Sequence, residues 1–234
     1  MNTDIINIEI VPGKFKRNKN TLVKEKKSFL ERIEVIEKPN YYKNHNIKYF
    51  TIAQIKTLIS NVNNPFHHMI LNLLFETGGR ISEVLNIKYK DIDFTTRRLI
   101  IKTVKTRREG SYRILSLSAD LLLEISLYKD KLGFEKNDYV VSRKGYKPIT
   151  TQTVDNMIYK KVSKILGKEF IPLAHAHTFR HSRAIFLLES GVNLSMLKTF
   201  LGHINITNTL IYLQYSTTDF CTAMDKANDI YKSM

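Results

Sequence analysis

Several absences narrow what this chain can be. Its 234 residues include one cysteine, Cys221, which excludes an intramolecular disulfide framework and a cysteine-based zinc finger. The nine glycines form neither a Gly-rich dinucleotide fingerprint nor a phosphate loop closing on Gly-Lys-Ser/Thr, so no bound nucleotide is expected. No apolar run approaches the roughly 18 residues that a membrane span needs, and none follows Met1 in the manner of a signal peptide. A cytoplasmic protein without membrane contact is the expectation. Acidic residues are scarce too, with 22 Asp and Glu against 37 Lys and Arg and a formal charge of +15. That imbalance departs from the near-neutral profile of a generic enzyme and points to nucleic acid as the partner.

Hydrophobic residues make up 43% of the chain, enough to build the core of one large domain or two small ones. Residues 1–47 differ from the rest: Lys14, Lys16, Arg17, Lys19, Lys24, Lys26 and Lys27 form a basic arm with few large apolar residues. Within it, Phe29, Leu30, Ile33 and Ile36 have helical spacing. From Thr51 onward the pattern is mostly helical. Thr51 caps a helix carrying Ile52, Ile55, Leu58 and Ile59; Asn64 and Pro65 open a second, which Gly78 ends. A short third helix carries Ile81, Val84 and Leu85. Residues 98–101 and 112–117 alternate as two strands of a hairpin whose turn contains Gly110, and residues 139–142 read as a further short strand. Helices are predicted after Ser118, after Thr150 or Thr151, over 176–190 and 194–201, and near 207–213; the stripe Phe220, Met224, Ala227 and Tyr231 marks a C-terminal helix over 217–234. The fold class is therefore α+β, mainly α-helical, with a small antiparallel hairpin sheet.

A protein of this kind can still break a phosphodiester by attacking it with a hydroxyl, provided that cations cradle the phosphate. Arginine suits the cradle, because its planar fork donates paired hydrogen bonds and keeps its charge. Arg80 follows Thr77-Gly78-Gly79 at a break between helices, where it either meets an anion or pairs with Glu83 one turn on. Arg180 lies three residues after His177, on the same helical face. His177 and His181, four residues apart, raise a zinc alternative, but neither cysteine nor carboxylate lies near enough in sequence to complete a tetrahedral site, so neither metal nor cofactor is expected. His203 stands at a helix end, as phosphate donor or cap. Tyr212, nine residues later, is a nucleophile or an ordinary core tyrosine.

Taken together and in order, these residues resemble the tyrosine recombinase or phage integrase family. Leu74-Phe75-Glu76-Thr77-Gly78-Gly79-Arg80-Ile81-Ser82-Glu83-Val84-Leu85 is similar to that family's first box, His177-Thr178-Phe179-Arg180-His181-Ser182 to its His-x-x-Arg box, and Leu201-Gly202-His203 with Ile211-Tyr212 to its closing box. The resemblance implies a catalytic domain over 48–216 and a site-specific recombinase that cleaves and rejoins DNA without ATP. Tyr212 would form a 3′-phosphotyrosyl link, Arg80 and Arg180 would clamp the nonbridging oxygens, His203 would add a hydrogen bond, and His177 would move the tyrosine's proton. A hairpin lysine would protonate the departing 5′ oxygen. Val104-Lys105-Thr106 ahead of Ser111-Tyr112-Arg113 indicates Lys105, with Lys102 as the alternative, because the hairpin holds two extra residues around Glu109 and Gly110. Glu83 would orient Arg80 or that lysine, His181 would stand behind the reacting groups, and Tyr215 competes with Tyr212 as nucleophile.

The family resemblance also implies double-stranded DNA as partner, a tetramer assembled on it, and a C-terminal helix exchanged between subunits. Most members carry about a hundred residues of helical domain ahead of the catalytic part, whereas about 47 residues precede the match here. Either the basic arm replaces that domain or an accessory DNA-binding protein supplies the grip. Relaxation of DNA in the manner of a type IB topoisomerase and a non-catalytic DNA-binding relic are the alternative functions.

Overall fold

The computed structural model describes residues 47–103 and 112–213, together with 228, 229 and 232. The basic arm with its helix, Lys105 and the Gly110 turn, Tyr215 and the stripe from Phe220 to Tyr231 lie outside the described residues.

Helix α1, Ile52–Ser60, begins at Thr51, whose hydroxyl accepts from the Gln54 amide while the Gln54 side chain accepts from the Thr51 amide. Two donors that a helix start would leave orphaned are thereby satisfied. Helix α2, Pro65–Thr77, is capped by Asn64 through the His67 amide and ends at Gly78 in the left-handed region, with φ of +52°. Apart from its first turn, α2 is buried almost all round: Met69, Ile70, Leu71, Leu73 and Leu74 are at most 1% exposed. This makes it the axis of the fold. The short helix α3, Ile81–Leu85, follows directly.

A three-stranded antiparallel sheet comes next, in the order β1 (Ile92–Asp93), β2 (Arg98–Lys102), β3 (Tyr112–Ser116). Leu99 pairs with Leu115 and Ile101 with Arg113, so one face buries three apolar side chains and one arginine. Helix α4, Ala119–Leu132, starts at the Ser118 cap, and α5, Thr151–Ile165, at the Thr150 cap. Helix α6, Ala176–Glu189, packs on α2 and α5. It is followed by α7, Leu194–Leu201, capped by Asn193 and closed by left-handed Gly202, and by the single turn α8, Thr207–Leu210.

The strand expected over 139–142 is not one. Tyr139 makes an isolated bridge to Lys88, and the Val140 amide donates to Ile87 while Val141 accepts from Ile149. Val140 and Val141 are fully buried, which explains why the segment looks like a strand, but its backbone bonds go to two different segments and build no ladder. The third strand is instead β1, whose two residues are too few to show a period. Two short 3₁₀ segments, Tyr89–Asp91 and Lys168–Leu173, also escape the periodicity.

The core divides in two. The larger cluster surrounds α2, and at its edge Phe50 meets Phe179 edge to face at 5.8 Å while its amide donates to the Ser182 hydroxyl. The smaller cluster lies between α6 and α7 and contains Ala184, Ile185, Leu188, Leu197, Leu201 and Tyr212. No helix among the described residues is long and apolar enough to cross a membrane. Leu73→Ala, which opens a cavity on the buried axis, is expected to lower unfolding stability by about 2 to 5 kcal/mol, read as a lower urea midpoint with unchanged slope.

Candidate active site

Arg180 lies at the centre. It belongs to the second turn of α6, is 1% exposed, and donates through Nη1 to the Gly78 carbonyl at 2.7 Å and through Nη2 to the Leu201 carbonyl at 2.7 Å. Both carbonyls belong to helix C-terminal ends, where the backbone carries partial negative charge and has acceptors to spare. One guanidinium thus ties α6 to the ends of α2 and α7. Burial, and secondarily the charge of Arg80, depress its pKa to about 10, which leaves it protonated at neutral pH.

His203 follows the left-handed Gly202. Its Nε2 lies 2.9 Å from Arg180 Nη2 and its Nδ1 lies 2.9 Å from Thr209 Oγ1. A guanidinium has only donors, so Nε2 accepts and the ring proton sits on Nδ1, donated to Thr209. Burial, followed by the charges of Arg180, Arg80 and Arg113, lowers the His203 pKa to about 4, in keeping with that neutral tautomer.

Arg80 caps α3 and is half-buried. Glu83, 2% exposed, accepts the Arg80 amide at 3.0 Å and Arg80 Nη1 at 2.9 Å, and on its other side Arg113 Nη2 at 2.8 Å. Burial alone would raise the Glu83 pKa. The hydrogen bond and charge of Arg113, and then the bonds from Arg80, outweigh it and hold the carboxyl below its usual range. The two readings of Arg80, ion pair or anion site, are therefore compatible: one side of its fork is spent on Glu83, and its charge still reaches Arg180, His203 and Tyr212.

Tyr212 is 2% exposed in the small cluster, just past α8. Its hydroxyl lies 2.9 Å from His181 Nδ1, and the edge of the His177 ring meets His181 with 4.4 Å between centroids. His181 was expected to stand behind the reacting groups, yet it is the histidine that touches the tyrosine; His177 is exposed and sits against it. Burial pushes the Tyr212 pKa up to about 12 against the pull of Arg180 and Arg80. Burial, then the charges of His177 and Arg180, lowers that of His181 to about 3. At neutral pH the pair is a phenol and a neutral imidazole.

Lys102 ends β2, exposed, and lines with Glu83 a cleft shared with Lys88 and Tyr139. Lys105 lies outside the described residues. Among the described residues, no group of three or more His, Cys, Asp or Glu could hold a metal ion.

The phage integrase family model matches residues 48–218, nearly three quarters of the chain. The chain belongs to the phage integrase family. Among the relatives of this integrase-family enzyme, the tyrosine recombinase XerA of Pyrococcus horikoshii is 30% identical over 217 residues, covering 90% of this chain and 74% of that protein. A probable integrase/recombinase of Acholeplasma phage L2 is 29% identical over 174 residues, 74% of this chain and 57% of that protein. In structure, a XerA recombinase superposes with a TM-score of 0.63 at 22% identity, over 92% of this chain and 77% of that one. The Tn1549 transposon integrase in complex with transposon right end DNA gives 0.62 at 22% identity, over 81% of this chain and 68% of that one. The mainly helical fold with its small sheet is that of these catalytic domains, and the family is one of DNA strand-transferring enzymes. The topoisomerase-like and relic alternatives are not favoured.

Two groups of the site are absent from the sequence-based set. Arg113 had only a motif resemblance, although an arginine at an inward position of an alternating strand was a legible signal. Thr209 carried none.

His181 and His203 stay neutral in the fold but take up a proton in the unfolded chain below about pH 6.5. Their contribution to stability is therefore complete above that pH and lost as pH falls toward about 3 and about 4. From pH 7 to pH 4 the urea midpoint of the native chain should fall more steeply than that of His181→Gln; parallel curves would contradict the assignment.

Proposed function

We propose that the chain recombines DNA at specific sites through a phosphotyrosine formed by Tyr212. The observation that supports this best is the convergence of Arg80, Arg180, His203 and Tyr212 on one site from segments up to 132 residues apart. In the cleavage step the Tyr212 oxygen bonds to phosphorus and the bond from phosphorus to the 5′ oxygen breaks. The phenolic proton leaves to His181 Nδ1, with His177 against the same ring, and the departing 5′ oxygen takes a proton from Lys105 or Lys102. Attack by a 5′ hydroxyl on the phosphotyrosine reverses these steps and rejoins a strand, so the bond energy is kept and no ATP is consumed. Arg80 and Arg180 offset the charge that builds on the phosphate in the transition state. An incoming phosphate raises the proton affinity of the nearby histidines, which allows His203 to gain a proton on Nε2 and become a donor.

In the same reading double-stranded DNA is the partner, held by the basic arm 1–47 and the hairpin, and the enzyme acts in the cytoplasm on nucleoid DNA. The catalytic domain runs over 48–216, the 217–234 segment joins neighbouring subunits of a tetramer on DNA, and either the basic arm or an accessory DNA-binding protein supplies the further grip on the duplex. The charge of +15 supports the DNA contact.

Covalent trapping tests the nucleophile. Wild type, Tyr212→Phe and Tyr215→Phe are incubated with nicked DNA from around the gene, denatured in detergent and scored for protein-linked DNA. Adducts are expected from wild type and Tyr215→Phe but not from Tyr212→Phe; loss only with Tyr215→Phe would move the nucleophile. For the acid, Lys105→Ala should cleave poorly when the leaving group is oxygen and recover when a 5′-bridging sulfur, which needs no proton to depart, replaces it. The same recovery in Lys102→Ala instead would transfer the role.

A further inference from the structure

Arg113 takes no part in the steps above, yet it is the most unusual residue of the sheet. In register with Ile101, it occupies the inner face that otherwise receives Leu99, Ile101 and Leu115, and it is 6% exposed. Nη2 donates to Glu83 at 2.8 Å, while Nε and Nη1, both buried, have no acceptor among the described residues.

Its surroundings are equally specific. The guanidinium lies between the loop that carries Arg80 and the turn that carries His203: a Cβ on Gly79 would come 3.8 Å from Nη2, and one on Gly202 would come 3.0 Å from Nη1. Gly202 is left-handed at φ of +65°, so both space and backbone favour glycine where the arginine approaches. A residue needed only to fill the inner face would be aliphatic, because a buried cation with donors unmet costs free energy that an apolar side chain of similar size avoids. Retaining the guanidinium makes physical sense where its charge and its hold on Glu83 are used.

We propose that Arg113 is a positioning residue for strand cleavage. It holds one Glu83 oxygen so that the other holds Arg80, and it adds a third guanidinium charge to those of Arg80 and Arg180 at the phosphate. Arg80 and Arg113 share one carboxylate, so displacement of either strains the other, and the site keeps an excess of positive charge. This rests on the phosphotyrosine reading.

The test uses the full chain and a duplex bearing the cleavage position mapped by trapping, synthesised once with the phosphodiester and once with an uncharged methylphosphonate at that position. Single-turnover cleavage is followed for wild type, Arg113→Met and Arg113→Lys, with DNA affinity and melting temperature measured in parallel. On the phosphodiester, Arg113→Met is expected to cleave on the order of 10²- to 10³-fold more slowly, the range seen when one transition-state donor is removed, with little change in DNA affinity. On the methylphosphonate, which has less charge to offset, its deficit relative to wild type should shrink by at least about tenfold. Arg113→Lys keeps the charge without the fork and should fall between the two. A deficit equal on both substrates would assign Arg113 a merely structural role, and undiminished cleavage would remove it from the mechanism. If Arg113→Met does not fold, Arg113→Gln, which also removes the charge but keeps a polar end, decides by the same comparison. Failure of wild type to form any adduct would instead overturn the phosphotyrosine reading, and this inference with it.

Discussion

Everything in the site is referred to one buried guanidinium. Arg180 spends three of its five donors on the carbonyl ends of two helices and a histidine, so a charge that would be costly inside a protein is held by partial charges already present there. The consequence is geometric. The loop after α2 carries Arg80, the turn after α7 carries His203, and α6 carries His177 and His181; Arg180 fixes all three against one another. A lysine could not do this, since a single ammonium lacks the flat fork that reaches two carbonyls and an imidazole at once.

Charge follows from that arrangement. Three arginines face one carboxylate, and the carboxylate remains ionised because two of the arginines donate to it. The histidines respond by staying neutral, since burial and adjacent cations oppose any further proton. A site of this composition is an incomplete electrostatic assembly whose natural complement is an anion. The anion would also change the histidines: each negative oxygen brought near Arg180 relieves the repulsion that keeps His203 unprotonated. Substrate binding and proton placement would thereby be linked.

Much of this was legible in the sequence. Helix limits followed from Thr51, Asn64, Ser118, Thr150 and Asn193 and from Gly78 and Gly202, because caps are local chemistry. Arg80, His177, Arg180, His203 and Tyr212 stood out by spacing and resemblance. What sequence could not give was which atom touches which. His177 and His181 share a helical face, and only the packing of Tyr212 between α6 and α7 selects His181 for the hydroxyl. The false strand at 139–142 has the same origin: burial of Val140 and Val141 mimics a ladder, while the true third strand is two residues long and owes its existence to its neighbour β2. Arg113 entered only as part of the Ser111-Tyr112-Arg113 motif and without a role, because an arginine in an alternating strand is ordinarily assigned to the solvent face.

The location of Tyr212 imposes a final constraint. It sits in the small cluster with Ile185, Leu188, Leu197 and Leu201, buried and with its hydroxyl engaged, so the same packing that aims it at the site also keeps it protonated and shielded. A phenol with a pKa near 12 is a poor nucleophile, and a neutral imidazole near 3 is a poor base. Neither obstacle is intrinsic to the residues; both arise from desolvation and from cations with no anion among them. Phosphate charge entering beside Arg80 and Arg180 would raise the basicity of His181, while transfer of the phenolic proton during attack would avoid a free phenolate in a buried setting. In the proposed mechanism reactivity therefore depends on the negative charge that DNA would bring, and without it Tyr212 stays a shielded phenol.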